Sequence, residues 1–280
     1  MTAEELIREI ERRFRAARLH FGHGTANARD EAAWLVHHVS RKSAGKRALE
    51  RVRRLAQRRI RERIPLAYLL GEAWIGERRF AVDRHTIVPR SFIGELLTDG
   101  IDAWVGRAPG AALDLCTGSG CLGILVALRY PRCKVDLADI SRPALRVAGR
   151  NVAQYRLARR VRSWHADLYD GLPARRYDLI VANPPYVRDA SMRRLPREFR
   201  REPELSLAGG PDGLDFVHRI LAGAIERLSA RGLLVCEIGH NRKALERAYP
   251  RTPFTWLETA AGGDFVFALK RAELPRATVR

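Results

Sequence analysis

Four consecutive residues, Asn183-Pro184-Pro185-Tyr186, bring together side chains that have no ordinary use at a strand end. They follow YDLIVA, an apolar run of buried-strand type. Each proline fixes φ and lacks an N–H, so the loop is stiff, and the carbonyls of Asn183 and Pro184 are free of ladder bonds. With the Asn183 side-chain oxygen they make a rigid set of acceptors for one planar NH₂ group. An amide or aromatic amine is a poor nucleophile because its lone pair is delocalised. Holding both N–H bonds in acceptors turns that lone pair toward an electrophile and favours positive charge developing on nitrogen. Tyr186 is expected flat against the planar group, where it helps bear the charge. No dedicated base is needed, because the nitrogen becomes acidic as it is alkylated.

A second motif lies upstream, Asp114-Leu-Cys-Thr-Gly-Ser-Gly120, after the short apolar run AALDL. Gly118 and Gly120 let a ligand approach the backbone closely. With Gly123 they formally match the dinucleotide fingerprint GxGxxG. Asp114, however, aims an acid into the loop, which would repel a pyrophosphate and suits a cationic amino-acid moiety. The reading favoured is therefore S-adenosylmethionine, an electrophilic methyl donor, over a nicotinamide dinucleotide. Asp139 ends the next strand and is placed to accept from two ribose hydroxyls. Ser141, before Pro143, is the better candidate for the following helix cap. Asp167 ends a third strand, either as a turn residue or facing an adenine amino group. The four cysteines, Cys116, Cys121, Cys133 and Cys236, have no partners at metal spacing and read as free thiols, and no metal is expected.

These residues need a sheet to hold them. From residue 111 strands and helices alternate: KVDLADI, PALRVAGRNVAQYR, VRSWHADL, YDLIVAN, LDFVHRILAGAIERL, GLLVCEIG, NRKALERAYP, FTWLET and FVFALKR. The alternation predicts an α/β fold, a mostly parallel, doubly wound, Rossmann-like sheet. Only AAGGD separates the last two strands, which should pair antiparallel at one end. Residues 1–70 read as a small all-α N-terminal domain, with helices over 3–18, 28–40 and 44–63; Leu49, Val52, Leu55, Ala56, Arg59 and Ile60 form a thin stripe on the third. Residues 71–92 read as a hairpin linker, its strands FAV and TIV joined by DRH, and residues 93–280 as the ligand-binding domain.

The chain has 280 residues, 46% of them hydrophobic, which excludes a disordered polypeptide. No apolar run reaches the length of a membrane span, and the first residues, MTAEELIREIERRF, have no signal core. The expected compartment is the cytoplasm, with no membrane partner. Net charge is +19, mostly through arginine, and this favours polyanionic partners. Eleven Lys and Arg against two Glu between Arg41 and Arg63 make either a solvated helix face or a face for RNA phosphates.

The pairing of DLCTGSG with NPPY resembles the S-adenosylmethionine-dependent methyltransferases that modify planar amino groups: adenine-amino DNA, guanine-amino rRNA and protein-glutamine enzymes. The likeness to the glutamine branch is closer and covers nearly the whole chain. RIPLAYLLGEAWIGERRFAVDRHTIVPRS looks like its inter-domain hairpin and EPELSLAGGPDGLDFVHRIL like its post-motif segment. HFGHGT, EAWI, DLCTGSGC and FTWLET look like the enzymes acting on large-subunit ribosomal protein three. They look less like the release-factor glutamine methyltransferases, whose loop reads GTGTGA and which carry an aromatic residue where this chain has Leu168. Phe92 stands where the family has a proline.

The resemblance implies a Rossmann-like class I methyltransferase. Asp114, Cys116, Thr117, Gly118, Ser119, Gly120, Asp139, Asp167, Leu168 and Asn183 would lie around the cofactor. Asn183, Pro184, Pro185 and Tyr186, with Arg90, would hold the substrate glutamine; Asn183, Pro184 and Tyr186 would be catalytic. The helical domain would recognise a large-subunit ribosomal protein, with rRNA of an assembly intermediate meeting its basic face. Three other readings stay open: a release-factor glutamine methyltransferase, a nucleic-acid amino methyltransferase, and a non-catalytic RNA-binding ribosome assembly factor.

Overall fold

The computed structural model describes residues 2–275 of the chain. Thr2 and Glu5 start the first helix, α1 (Ala3–Ala16), with a reciprocal capping box. Its buried face, Leu6, Ile7, Ile10 and Phe14, packs on α2 (Ala28–Ser40) and α3 (Gly45–Glu62). A short α4 (Leu66–Leu70) closes this layer. Arg59, in the stripe of α3, is fully buried: it donates to Glu31 at 2.7 Å and to the His20 carbonyl at 2.9 Å.

The hairpin lies upstream of where its β-branched residues suggest. β1 (Glu72–Ile75) pairs antiparallel with β2 (Arg78–Ala81) around Gly76, whose φ of +52° favours glycine. Thr86–Val88 forms no strand. Asp83 turns the chain by accepting from the amides of His85 and Thr86, and the Val88 amide goes to the Glu202 carboxylate at 2.8 Å. A backbone turn and two carboxylates, rather than a ladder, satisfy those amides. Two helices absent from the sequence reading follow, α5 (Phe92–Asp99) and α6 (Asp102–Val105).

Seven strands make the main sheet: β3 (Ala111–Leu115), β4 (Lys134–Asp139), β5 (Val161–His165), β6 (Tyr177–Ala182), β7 (Leu228–Glu237), β8 (Thr255–Leu257) and β9 (Val266–Lys270). Their order is β5-β4-β3-β6-β7-β9-β8. The first five in that order run parallel; β9 inserts antiparallel between β7 and β8, so the terminal hairpin sits at one end with its last strand innermost. The connecting helices are α7 (Cys121–Arg129), α8 (Arg142–Gln154), α9 (Asp189–Met192), α10 (Asp215–Arg227) and α11 (Arg242–Ala248). Ser141 caps α8 by accepting from the Ala144 amide.

One core lies under α5, α7 and α8 and takes in Ile75 and Phe80 of the hairpin; the other lies under α10 and α11. The chain enters the sheet at β3, winds out to β5, then returns to β6 on the other side. That reversal opens a crevice at the carboxyl ends of β3 and β6. Among the described residues no helix is long and apolar enough to cross a membrane.

Candidate active site

Register puts the strand ends in a row. Leu115 pairs with Ala138 on one side and Ala182 on the other, and Ala182 pairs with Cys236. The next residue on each strand is Asp139, Cys116, Asn183 and Glu237. Over this edge opens a cleft of about 570 Å³, lined by Cys116, Gly118, Asp139, Ile140, Asp167, Leu168, Asn183, Pro185, Leu205, Ser206 and Phe216, among others.

The glycine loop is braced from beneath. Asp114 accepts from the Thr117 hydroxyl and, at 2.8 Å, from the Gly123 amide. It is buried, off the cleft wall, and burial pushes its pKa up to about 7 against the pull of those two donors. The acid read as facing a ligand therefore ties the loop to α7. Its other oxygen, Oδ1, is buried with no partner. Thr117, Ser119 and Gly120 also lie off the wall, and a Cβ at Gly123 would collide with Leu137. Cys116 and Gly118 carry the loop's exposure to the cleft. The four cysteines are free.

Asp139 accepts from the Gly118 amide on one oxygen and the Ser141 amide on the other, both at 2.8 Å. Burial raises its pKa despite those amides. A carboxylate oxygen has a second lone pair, so each retains capacity toward the cleft. Asp167 closes a turn with Asp170 through its backbone, as one of its two sequence readings has it, and lines the cleft with its carboxylate paired to Arg219 at 2.9 Å. Leu168 holds a left-handed φ of +54° and is buried against the cleft.

Asn183 lines the cleft, and its Oδ1 is buried with no hydrogen-bond partner among the described residues. An unpaired buried acceptor costs about 1–3 kcal/mol, which a bound donor would recover. Pro184 and Pro185 are buried, and Pro185 reaches the wall. Tyr186 does not line this cleft. Its hydroxyl donates to Glu237 at 3.0 Å, and its ring packs so closely on Gly239 that a Cβ there would come within 2.7 Å. Gly209 likewise leaves no room for a Cβ beside the Tyr186 backbone. Burial and then Glu237 push the phenol pKa upward.

Arg90 is committed elsewhere. It forms a two-pronged pair with Glu202 at 2.6 and 2.7 Å and lies over the Phe199 ring, away from the cleft. Its guanidinium is spent on that buried acid, so the expected substrate contact is withdrawn. Sequence reasoning missed Glu237, which accepts from the Ser91 hydroxyl (2.6 Å), the Phe92 amide (2.9 Å) and Tyr186. An acid ending the apolar run GLLVC was the available signal. It also missed Ile140 and Leu205, which are 47% and 53% exposed on the cleft rim. Among the described residues no cluster of three or more His, Cys, Asp or Glu is placed to hold a metal.

A reversal crevice with a glycine loop on one strand, a strand-end acid on the next and an Asn-Pro-Pro-Tyr loop on a third defines an S-adenosylmethionine-dependent methyltransferase. The family model "Methyltransferase small domain" matches residues 95–202. The fold resembles the catalytic domain of hMettl16 solved with a 3′UTR hairpin, at 16% identity and a TM-score of 0.53, covering 84% of each chain. Two curated relatives span nearly everything. The ribosomal protein uL3 glutamine methyltransferase of Neisseria meningitidis serogroup B is 48% identical over 98% of this chain and 94% of its own length. That of Bordetella pertussis is 50% identical over 98% and 96%. The chain belongs to the family of ribosomal protein uL3 glutamine methyltransferases.

Proposed function

We propose that this protein transfers a methyl group from S-adenosylmethionine to the side-chain amide nitrogen of a glutamine in ribosomal protein uL3, the substrate named for its relatives. The observation that carries the reading is the orphaned Asn183 Oδ1, buried at the wall of the cleft beside two stiff prolines. It is an acceptor waiting for an N–H.

The cleft fits the cofactor. Ile140, Leu168 and Phe216 supply apolar surface for an adenine ring, and Asp139 keeps lone pairs for the ribose hydroxyls. Gly118 leaves the loop side without a Cβ. When bound, S-adenosylmethionine supplies an electrophilic methyl on a sulfonium. Asn183 Oδ1 and the carbonyls of the proline loop take the amide N–H bonds and orient the lone pair. They also stabilise positive charge as it develops on nitrogen. Tyr186 and Glu237 hold the loop from behind. The helical layer α1–α4 is the proposed recognition surface for the protein substrate. A ribosomal substrate implies the cytoplasm, and an assembly intermediate containing rRNA is the form of it that the chain's charge favours.

Incubation with labelled cofactor and either rRNA or uL3 tests the reading. Label on one glutamine of uL3, located by mass spectrometry, is the expected result. Label in the nucleic acid would overturn it in favour of a base methyltransferase. Replacing the target glutamine by glutamate should give no product, since a carboxylate offers no N–H.

A further inference from the structure

The stretch from Arg188 to Glu204, RDASMRRLPREFRREPE, holds six arginines against four acids and reads as nearly balanced. Folding separates the two signs. Glu198 and Glu202 turn inward and are buried, where they meet basic groups from elsewhere in the chain: Arg59 and Arg63 at Glu198, Arg90 and His23 at Glu202. Arg193, Arg194, Arg197, Arg200 and Arg201 turn outward, exposed and in no ion pair among the described residues. Of the four acids in the stretch, Asp189 and Glu204 face solvent with them.

The helix α3, basic in sequence, is compensated in part. Arg53, Arg58, Arg59 and Arg61 are drawn into ion pairs, as are Arg41 and Arg63 at its flanks, while Lys46, Arg47, Arg51 and Arg54 stay outside them. On the ridge at 193–201 none of the five arginines has an acid partner among the described residues. That ridge is built to stay in place. Arg200 donates to the carbonyls of Arg193 and Leu195, closing the turn, and Pro196 and Pro203 stiffen its ends. It leads directly into the 3-10 turn Glu204–Ser206, whose Leu205 and Ser206 line the active-site cleft. A second, open cavity of about 840 Å³ lies on the ridge side of that turn; Arg193 and Arg200 line it with Met192, Leu195 and Phe199, and so do Glu202, which Arg90 neutralises, and Glu204.

We propose that this arginine ridge binds RNA through its phosphates and sets a ribonucleoprotein substrate against the cleft. Five exposed guanidiniums on one braced turn, two of them on the wall of a partly apolar cavity, suit phosphates with a nucleobase or sugar between them, and would repel a basic peptide. The choice of RNA rests on the ribosomal reading above, whereas the ridge itself is read from its own geometry.

The test is fluorescence anisotropy of the full chain with a labelled RNA of about 20 nucleotides across about 50 to 300 mM KCl. Substituting R193Q, R197Q and R201Q together should weaken binding about tenfold or more at the low end and reduce the salt slope by about 2. Lysine at the same three positions should restore most of both, since charge is kept. A control carrying K46Q, R51Q and R54Q on α3 should bind within about threefold of the parent. A glutamine variant that titrates like the parent, or an α3 control that loses as much, would overturn the ridge. Methyl transfer by the parent chain is scored separately on uL3 alone and on uL3 bound to rRNA. Failure on both would sink the glutamine reading and leave the RNA titrations to judge the ridge, whereas equal rates on both would overturn the ridge's part in setting the substrate.

Discussion

At the residue scale the proposed mechanism divides the work of the cleft between Asn183, toward substrate, and Asp139, toward cofactor. Asn183→Ala removes the acceptor proposed to meet the amide. Transfer should be abolished, with S-adenosylmethionine affinity by calorimetry within about tenfold of the parent. Asp139→Ala should instead weaken cofactor binding by about 1–3 kcal/mol. If Asn183→Ala lost cofactor binding and Asp139→Ala kept it, the two roles would be reversed. Asp114 gives a pH signature. Its folded pKa, about 7, lies above the 3.8 of an ordinary aspartate. The folded state thus holds its proton more tightly than the unfolded. That contribution is complete below pH 3.8 and is lost as pH rises toward and through 7. The variant Asp114→Asn keeps an acceptor but cannot titrate. The stability difference between the two proteins should shift against the parent across this window, by about 4 kcal/mol at most. A constant difference from pH 4 to 8 in urea titrations would show that Asp114 does not titrate there.

At the scale of elements, Glu237 ties three segments with one carboxylate: the start of α5 through Ser91 and Phe92, the end of β7, and the proline loop through Tyr186. Burial raises its pKa against those donors, so each of them matters to keeping it in place. Glu237→Ala strands three donors and should cost about 2–4 kcal/mol, with activity falling and cofactor affinity nearly unchanged. Tyr186→Phe strands only one acceptor oxygen and should cost less. Equal costs, read from thermal unfolding, would mean that the carboxylate does not join the segments.

The alternation of strands and helices was legible because each buried strand is a short apolar run bounded by turn residues, as in YDLIVA before Asn183. The glycine and proline loops were legible because those residues act through their own backbone. What depended on register was not. Glu237 and Ile140 matter because neighbouring strands end level with them, and no local pattern records that. Residue type told that Asp114 and Arg90 carry charge but not which way each faces. The hairpin was misplaced because Thr-Ile-Val has higher strand propensity than Glu-Ala-Trp-Ile, whereas Gly76 and the bonds from Asp83 and Glu202 decided the outcome.

At the scale of the whole molecule, the segment behind the proline loop is also the joint between the helical layer and the sheet. The Val187 amide donates to the Leu207 carbonyl and the Val187 carbonyl accepts from the Gly209 amide, and the chain leading into this bridge carries Glu198 and Glu202. Glu198 reaches Arg59 and Arg63 and accepts from the His20 amide; Glu202 meets His23, Val88 and Arg90. Burial alone would raise the Glu202 pKa, but His23 and Arg90 hold it down to about 2. Because this folded value lies below the ordinary 4.5, the stabilisation is present above pH 4.5 and is lost as pH falls toward 2, on the order of 3 kcal/mol.

Replacing one partner of a buried pair leaves the other uncompensated, which is costlier than losing both. Glu202→Gln should therefore cost about 3–5 kcal/mol, while adding Arg90→Gln should cost much less than a second such amount. The loss should also be local. Hydrogen exchange should speed up in α1–α3 of the Glu202→Gln protein while amides of β3 and β6 keep their protection, because the sheet has its own core. Uniform loss of protection across helices and sheet would mean that the acid supports the fold as a whole and is not the joint between its two layers.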